Sequence, residues 1–300
     1  MADEFPQVDG VEHRFVSANG VRLHVAEAGV ADATPVLLLH GWPQHWYMWR
    51  NVIADLRSEY RLIAPDLRGF GWSAAPGYGY DPETFVADQI ALLDELAIPR
   101  VCVIGHDWGG YTSFLLGTRH PDRIAAILAL NTPHPWPRVS PQLLLDAWRS
   151  WYAFAIATPG LGRLALQGRL PKLILSRGNV NNPFSFAELD IYLERLREPA
   201  RRHATISLYR YYRRAFLRAL RGGPTEPALA VPARLVFGER DLYVSPKLLP
   251  GWEAHADRMG VELVPDCGHF MVNEKPELVI ERARSVLRIK AETPRRSGTA

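Results

Sequence analysis

The stretch Val101-Cys102-Val103-Ile104-Gly105-His106-Asp107-Trp108-Gly109-Gly110 decides the fold of this 300-residue chain. Its first four residues are apolar and mostly β-branched, which is typical of a strand buried on both faces. Residues 111–117 have a helical pattern, so the chain passes abruptly from strand to helix. Such a turn needs residues without side-chain bulk, and three glycines supply them. The stretch therefore predicts that Asp107 lies at the tip of a sharp strand-to-helix turn.

The pattern Gly-x-Asp-x-Gly has the form of a nucleophile elbow, whose central residue is held on a strained turn. An aspartate at that position is an anion at neutral pH and can displace a leaving group from a saturated carbon. The product is an ester, and its hydrolysis needs a base and hydrogen-bond donors for an oxyanion. The alternative is that Asp107 only caps the following helix, as aspartate often does.

Length and composition fit an enzyme built from one large α/β domain or from a domain with an insertion. Hydrophobic residues make up 47% of the chain and charged residues 22%, which is enough to bury a sizeable core. The 35 basic and 32 acidic residues predict no nucleic-acid partner and no strong attraction to a membrane. Two cysteines, no secretory signal and no apolar span make the cytoplasm the expected location.

Strand and helix patterns alternate along the first part of the chain. Asn19-Gly20 between two alternating runs predicts an opening hairpin, and a helical pattern covers residues 81–97. Apolar runs predict further strands at residues 36–39, 61–65, 101–104, 124–130, 234–237 and 261–264, and a closing helix over 276–289. This alternation predicts an α/β fold with a mostly parallel, doubly wound sheet.

Prolines and helical patterns interrupt that rhythm between the strands at 124–130 and 234–237. We therefore expect residues 134–228 to form an inserted helical cap or lid. Residues 1–133 and 229–300 would then be the two parts of the core, with a disordered tail from about residue 292.

The returning core supplies an acid and a histidine. Asp241 and His269 each follow a predicted strand, and the carboxyl ends of parallel strands meet at one edge of a sheet. The order nucleophile, acid, histidine is that of the α/β-hydrolases. We expect Asp241 to orient His269, which activates water, while Glu239 is the alternative acid.

A second loop is expected beside the elbow. The run at 36–39 ends in His40-Gly41-Trp42-Pro43, where glycine and proline fix an irregular backbone whose N–H groups can face a ligand. Next to a nucleophile elbow, the backbone N–H groups of Trp42 and Trp108 are expected to form an oxyanion hole. His40, Pro43 and Trp108 are also expected to contact the substrate.

With these motifs the chain resembles the α/β-hydrolases over nearly its whole length, and within that fold it is most similar to the epoxide hydrolases. The resemblance lies in His40-Gly41-Trp42-Pro43 with Tyr47 and Trp49-Arg50, in the segment Gly105-His106-Asp107-Trp108-Gly109-Gly110, and in Cys267-Gly268-His269. It implies two cap tyrosines whose hydroxyls hold the epoxide oxygen. Tyr152, in Trp151-Tyr152-Ala153-Phe154, resembles the first, and Tyr209, in Leu208-Tyr209-Arg210, resembles the second.

Periodicity is compatible with these two tyrosines. On a helix over residues 204–220, Tyr209, Tyr212 and Phe216 share one face and arginines share another. A neutral phenol can donate to the oxygen of an opening epoxide. Tyr212 is the substitute for Tyr209 and otherwise a substrate contact, and the alternative for all of these aromatics is a place in the core.

The expected reaction converts a small hydrophobic epoxide and water into a vicinal diol, with no metal and no organic cofactor, in a monomer or homodimer. A haloalkane dehalogenase is the first alternative, because it resembles this chain in fold, nucleophile and Trp108, although it often has Asn where Trp42 stands. Fluoroacetate dehalogenases use arginines just after the nucleophile, where this chain has Trp108 and Tyr111. A further alternative is a protein of the same fold that binds a ligand without turnover.

Overall fold

One eight-stranded sheet organises the computed structural model, which describes residues 5–138, 146–219 and 226–291. The strand order is β1-β2-β4-β3-β5-β6-β7-β8. The strands are β1 (Val11–Ala18), β2 (Val21–Gly29), β3 (Pro35–Leu39), β4 (Arg61–Pro65), β5 (Val101–His106), β6 (Ile124–Leu130), β7 (Ala233–Gly238) and β8 (Met259–Val264). β2 pairs antiparallel with both β1 and β4, and the other pairs are parallel. The predicted hairpin and the mostly parallel sheet are confirmed.

Helices cover the sheet and fill the segment between β6 and β7. They are α1 (Arg50–Leu56), α2 (Pro82–Glu95), α3 (Trp108–Arg119), α4 (Trp151–Ala157), α5 (Leu161–Gln167), α6 (Leu170–Arg177), α7 (Phe186–Leu196), α8 (Pro199–Ala219), α9 (Met271–Glu274) and α10 (Pro276–Ala291). The predicted tail from about residue 292 and two parts of the predicted insertion, residues 139–145 and 220–225, lie outside the described residues.

Local sequence explains where these elements begin. α2 starts after Asp81, whose carboxylate accepts the backbone N–H of Thr84, and Pro82 occupies its first turn, where a missing N–H costs nothing. β5 and β6 are buried throughout and mostly apolar because the sheet is covered on both faces there. α3 packs on both of these strands and α10 on β6. The central sheet therefore holds the carboxyl ends of β3, β5, β7 and β8 in fixed positions.

The helices α4 to α8 lie over those carboxyl ends. α4 packs against α8, and Tyr209 of α8 contacts the rings of Trp42 and Trp108, which follow β3 and β5. The carbonyl of Gly178, just after α6, accepts the backbone N–H of His269 at 2.6 Å. The helices between β6 and β7 thus contact the strand ends directly.

Candidate active site

Asp107 lies at the turn between β5 and α3. Its backbone angles, φ 52° and ψ −120°, fall in a region that residues other than glycine seldom adopt. The turn is so tight that a Cβ on Gly109 would lie 2.1 Å from the carbonyl oxygen of Leu39, and one on Gly41 would lie 2.5 Å from Asp107 Cβ. The Asp107 side chain makes no capping hydrogen bond to α3. The strained elbow is therefore present, and a simple helix cap does not account for Asp107.

Two backbone N–H groups face the Asp107 carboxylate. Trp42 N donates to Asp107 Oδ2 at 3.0 Å, and the N–H of Trp108 also bonds to this carboxylate. Burial raises the pKa of Asp107 to about 6, while the positive charge of His269 and these two N–H groups act in the opposite direction. One carboxylate oxygen thus occupies the expected oxyanion hole.

The acid and histidine predicted from separate loops lie together. His269 Nδ1 is 2.8 Å from Asp241 Oδ2, and both side chains are buried, whereas Glu239 is exposed. Burial alone would raise the pKa of Asp241, but the charge of His269 and several hydrogen bonds outweigh it, so the pKa is lowered. Burial alone would lower the pKa of His269, but Asp241 and then Asp107 outweigh it, so the pKa is raised.

Asp241 is fixed by groups that sequence reasoning missed. Asn131, just after β6, donates its side-chain N–H to Asp241 Oδ2 at 2.9 Å. The backbone N–H groups of Tyr243 and Val244 donate to Asp241 Oδ1 at 2.8 and 3.0 Å. With the histidine bond, these contacts satisfy both oxygens, which keeps the buried carboxylate charged and oriented.

Glu274 holds the histidine loop against the inserted helices and was also missed. Its Oε2 accepts the backbone N–H of Gly268 at 2.8 Å, and its Oε1 accepts those of Val180 and Asn181 at 3.0 and 2.9 Å. Its partners lie about 90 residues apart in the chain, so no local pattern could reveal this role.

His106 precedes the nucleophile and packs under His269. Its Nε2 is 2.8 Å from the carbonyl oxygen of His269, and the ring centroids are 4.9 Å apart. Burial, with the charge of His269, lowers the pKa of His106 to about 3, so the ring is neutral and its Nε2–H donates to that carbonyl. The only sequence signal for this role is its position beside Asp107.

The tyrosines of α4 and α8 lie over the elbow. The Tyr152 ring stacks on Trp42 with centroids 6.2 Å apart and meets the Tyr209 ring edge-on at 5.7 Å. Burial, and then nearby groups that include Asp107, raise the pKa of both phenols well above the usual value. Both hydroxyls therefore stay protonated and remain hydrogen-bond donors.

Tyr212 is less suited than Tyr209 to act on a ligand beside Asp107. Its hydroxyl is 2.8 Å from Ser150 Oγ, although its ring meets that of Trp108 edge-on at 6.2 Å. The Tyr209 hydroxyl instead bonds to Trp108 and Tyr152. The geometry favours Tyr209 as the second tyrosine.

His40 does not lie where a substrate contact requires it. Its ring is fully buried, with Nε2 accepting the backbone N–H of Leu67 at 2.9 Å and Nδ1 3.0 Å from the carbonyl oxygen of Gly41. Because both ring nitrogens have backbone partners, His40 shapes the loop instead of contacting a ligand. Pro43 is buried beside Trp42 and Gln44.

Within residues 5–138, 146–219 and 226–291, no three His, Cys, Asp or Glu side chains are grouped to ligate a metal ion. None of the helices in the same ranges combines the length and apolar character needed to span a bilayer.

Comparison with known proteins places this chain in a family. A model described as the alpha/beta hydrolase fold matches residues 34–276. AB hydrolase superfamily protein YfhM of Bacillus subtilis is 32% identical over 283 residues, or 91% of this chain and 96% of that protein. The soluble epoxide hydrolase of Corynebacterium sp. is 29% identical over 286 residues, with the same coverage of each. The solved structure of epoxide hydrolase CorEH without ligand has a TM-score of 0.81 at 28% identity, over 93% of this chain and 99% of that one. The chain therefore belongs to the α/β-hydrolase family, and within it resembles the epoxide hydrolases.

Proposed function

We propose that this protein hydrolyses small hydrophobic epoxides to vicinal diols through an ester on Asp107. The observation that carries the proposal is the pairing of an elbow carboxylate with the buried Tyr209 and the half-buried Tyr152 above it. In this proposal residues 134–228 act as a cap that supplies the tyrosines and excludes water. The other reactants are the epoxide and water, and the chemistry needs no cofactor.

In the first step, Asp107 Oδ1 attacks one carbon of the epoxide while Oδ2 stays on the N–H of Trp42. The carbon–oxygen bond of the ring breaks, and its electron pair goes to the oxygen. Tyr152 and Tyr209 donate hydrogen bonds to that oxygen, which stabilises the developing alkoxide. The raised pKa of both phenols supports this role because each group keeps its proton until the oxygen becomes basic.

In the second step, His269 takes a proton from water, and the hydroxide attacks Cγ of the ester. The carbonyl oxygen of that ester is the former Oδ2, which already accepts the N–H of Trp42, and the N–H of Trp108 faces the same carboxyl group. These donors therefore stabilise the tetrahedral oxyanion without any rearrangement. Collapse of the intermediate breaks the bond between Cγ and the former Oδ1, which leaves with the substrate as the second diol oxygen and takes the proton of the newly formed carboxyl group. The alkoxide of the first step takes its proton from protonated His269 before that ring acts as the base, so the diol is released and the carboxylate is restored.

The contacts of the tryptophans count against dehalogenation, the alternative reaction. The indole Nε1–H of Trp42 donates to Thr205 Oγ1 at 3.2 Å, and the Trp108 side chain bonds to the Tyr209 hydroxyl. A halide site needs such N–H groups free to face the leaving group. The full set Asp107, Asp241 and His269 likewise counts against a ligand-binding protein, which has no need of it.

The decisive experiment compares the double variant Tyr152→Phe/Tyr209→Phe with Tyr211→Phe. The Tyr211 hydroxyl points to Glu83, so this variant of α8 is a matched control. We expect the double variant to lose diol formation from styrene oxide, and the control to keep it. Unchanged epoxide turnover in the double variant would refute the tyrosine assignment.

A bromoalkane assay distinguishes the alternatives. Bromide release without diol formation from epoxides would favour the dehalogenase. Binding of styrene oxide without any product would favour the receptor.

A further inference from the structure

The inserted helices expose large apolar side chains that make no core contact. Trp148 is 61% exposed, Leu164 on α5 is 68% exposed and Phe186 at the start of α7 is 79% exposed. Trp151 and Leu161 are each half exposed. Single apolar side chains are common on protein surfaces, but several large ones exposed on one segment indicate an interaction surface.

The charged side chains of the same segment are all basic. Residues 147–187 contain no Asp or Glu, but they contain Arg149, Arg163, Arg169, Lys172 and Arg177. Arg149 pairs with Asp146, whereas the other four are exposed and make no ion pair with the rest of the described chain. Lys172 Nζ lies 5.3 Å from the centroid of the Phe186 ring, which joins α6 to α7. We call these four basic residues and the five exposed apolar residues the basic apolar face.

This face lies on the outer side of the helices that cover the candidate active site. Trp151 and Tyr152 are neighbours on α4, yet Trp151 is half exposed and Tyr152 stacks on Trp42 beneath the helix. On α6 the exposed Lys172 likewise contrasts with the buried Ile174 and Leu175. The exposed side of α4 is therefore the side turned away from Tyr152 and Trp42.

Charge and polarity restrict what can cover the face. A second copy in a two-fold dimer would set this positively charged face against itself, which is unfavourable. The phosphate backbone of a nucleic acid would satisfy the cations but leave the Trp, Leu and Phe side chains without an apolar partner. A bilayer with anionic headgroups provides negative charge at the depth of the basic residues and acyl chains just below it.

We propose that the basic apolar face docks on an anionic lipid bilayer. The near-neutral net charge of the whole chain predicts no strong attraction to a membrane. That net charge, however, is an average that includes this acid-free segment. Tryptophans suit the interface because their rings are apolar and their N–H groups polar. If the proposed function holds, docking would also bring the cap to a phase in which hydrophobic epoxides concentrate.

Vesicle sedimentation tests the proposal on the full chain. The probes are vesicles of phosphatidylcholine alone and vesicles with about a third phosphatidylglycerol. We expect binding to the anionic vesicles that weakens with added salt, because the attraction is screened. The variant Arg163→Glu/Lys172→Glu should bind at least about tenfold more weakly, since each basic residue near such a surface contributes measurably. Leu164→Ser should weaken binding with less change in its salt dependence.

Arg258→Glu is the matched control. Arg258 is exposed in the loop before β8, at the opposite edge of the sheet from the inserted helices, so this variant should bind like the wild type. Equal vesicle binding by Arg163→Glu/Lys172→Glu and the wild type, or no binding to anionic vesicles, would overturn the proposal. So would a dimer, seen by analytical ultracentrifugation, that Leu164→Ser disrupts without any vesicle binding. None of these measurements involves epoxide turnover, so they fail or succeed independently of the proposed function.

Discussion

Replacing Asp107 with Asn should stabilise the folded protein at high pH, because Asp107 carries its charge where burial disfavours it. Burial raises the pKa of Asp107 from 3.8 to about 6, against the opposing effects of His269 and two N–H groups. A difference of about two pKa units corresponds to about 3 kcal/mol. The folded state holds this proton more tightly than the unfolded state. Wild-type stability should therefore fall as pH rises from about 4 to above 6, and the variant should lack this loss.

Urea unfolding of both proteins at about pH 4 and pH 8.5 measures the effect, because groups that do not interact with residue 107 cancel in the difference. His269 does interact with it, but at the lower pH this ring faces an uncharged side chain at position 107 in both proteins. We expect the variant to match the wild type at the lower pH and to be about 3 kcal/mol more stable at the higher pH. The Asn side-chain oxygen can still accept the N–H of Trp42, so the turn is preserved. The exposed Asp257→Asn serves as the control for the same chemical change. A difference that stays constant with pH, or that grows toward low pH, would refute the dominance of burial at this carboxylate.

Three further predictions concern the histidine and its supports. Glu274→Ala should lower the free energy of unfolding by about 2 to 4 kcal/mol in urea titrations, because three backbone N–H groups lose a charged acceptor, and Glu274→Gln should lose less. His269→Gln should slow turnover by about 10²–10⁴-fold and accumulate an ester on Asp107 visible in intact mass spectra; no adduct with reactive epoxides would contradict the proposed intermediate. Asp241→Asn removes the charge that raises the pKa of His269, so the acid limb of the turnover–pH profile should move to lower pH while the rate falls.

The elements with strong local signals were predictable. The strands at 101–104 and 124–130 are uninterrupted apolar runs, and Asp81-Pro82 marks the start of α2 within one residue. The triad followed from topology, since loops after parallel strands meet at one edge. The choice of Asp241 over Glu239 needed the structure, because both residues follow the same strand and only contact with His269 separates them.

The supports of the site could not be predicted because they depend on contacts between distant segments. Glu274 joins the histidine loop to Val180, and Asn131 reaches Asp241 from 110 residues away. The choice between Tyr209 and Tyr212 was open for a different reason, since one helical face contains both. The bond between Tyr212 and Ser150, together with the bonds of the Tyr209 hydroxyl to Trp108 and Tyr152, separates their roles.

In the proposed cycle, the charge of Asp107 also controls when His269 can act as a base. Before reaction, Asp241 and Asp107 together raise the pKa of His269, which favours the protonated ring. Formation of the ester removes the negative charge of Asp107. Burial then still lowers the pKa of His269, and Asp241 alone opposes that effect. The same step creates an alkoxide that needs a proton. His269 therefore becomes a stronger acid at the moment when the oxygen becomes a base, and its loss of a proton prepares it to activate water. The nucleophile thus sets the order of the two half-reactions through its own charge.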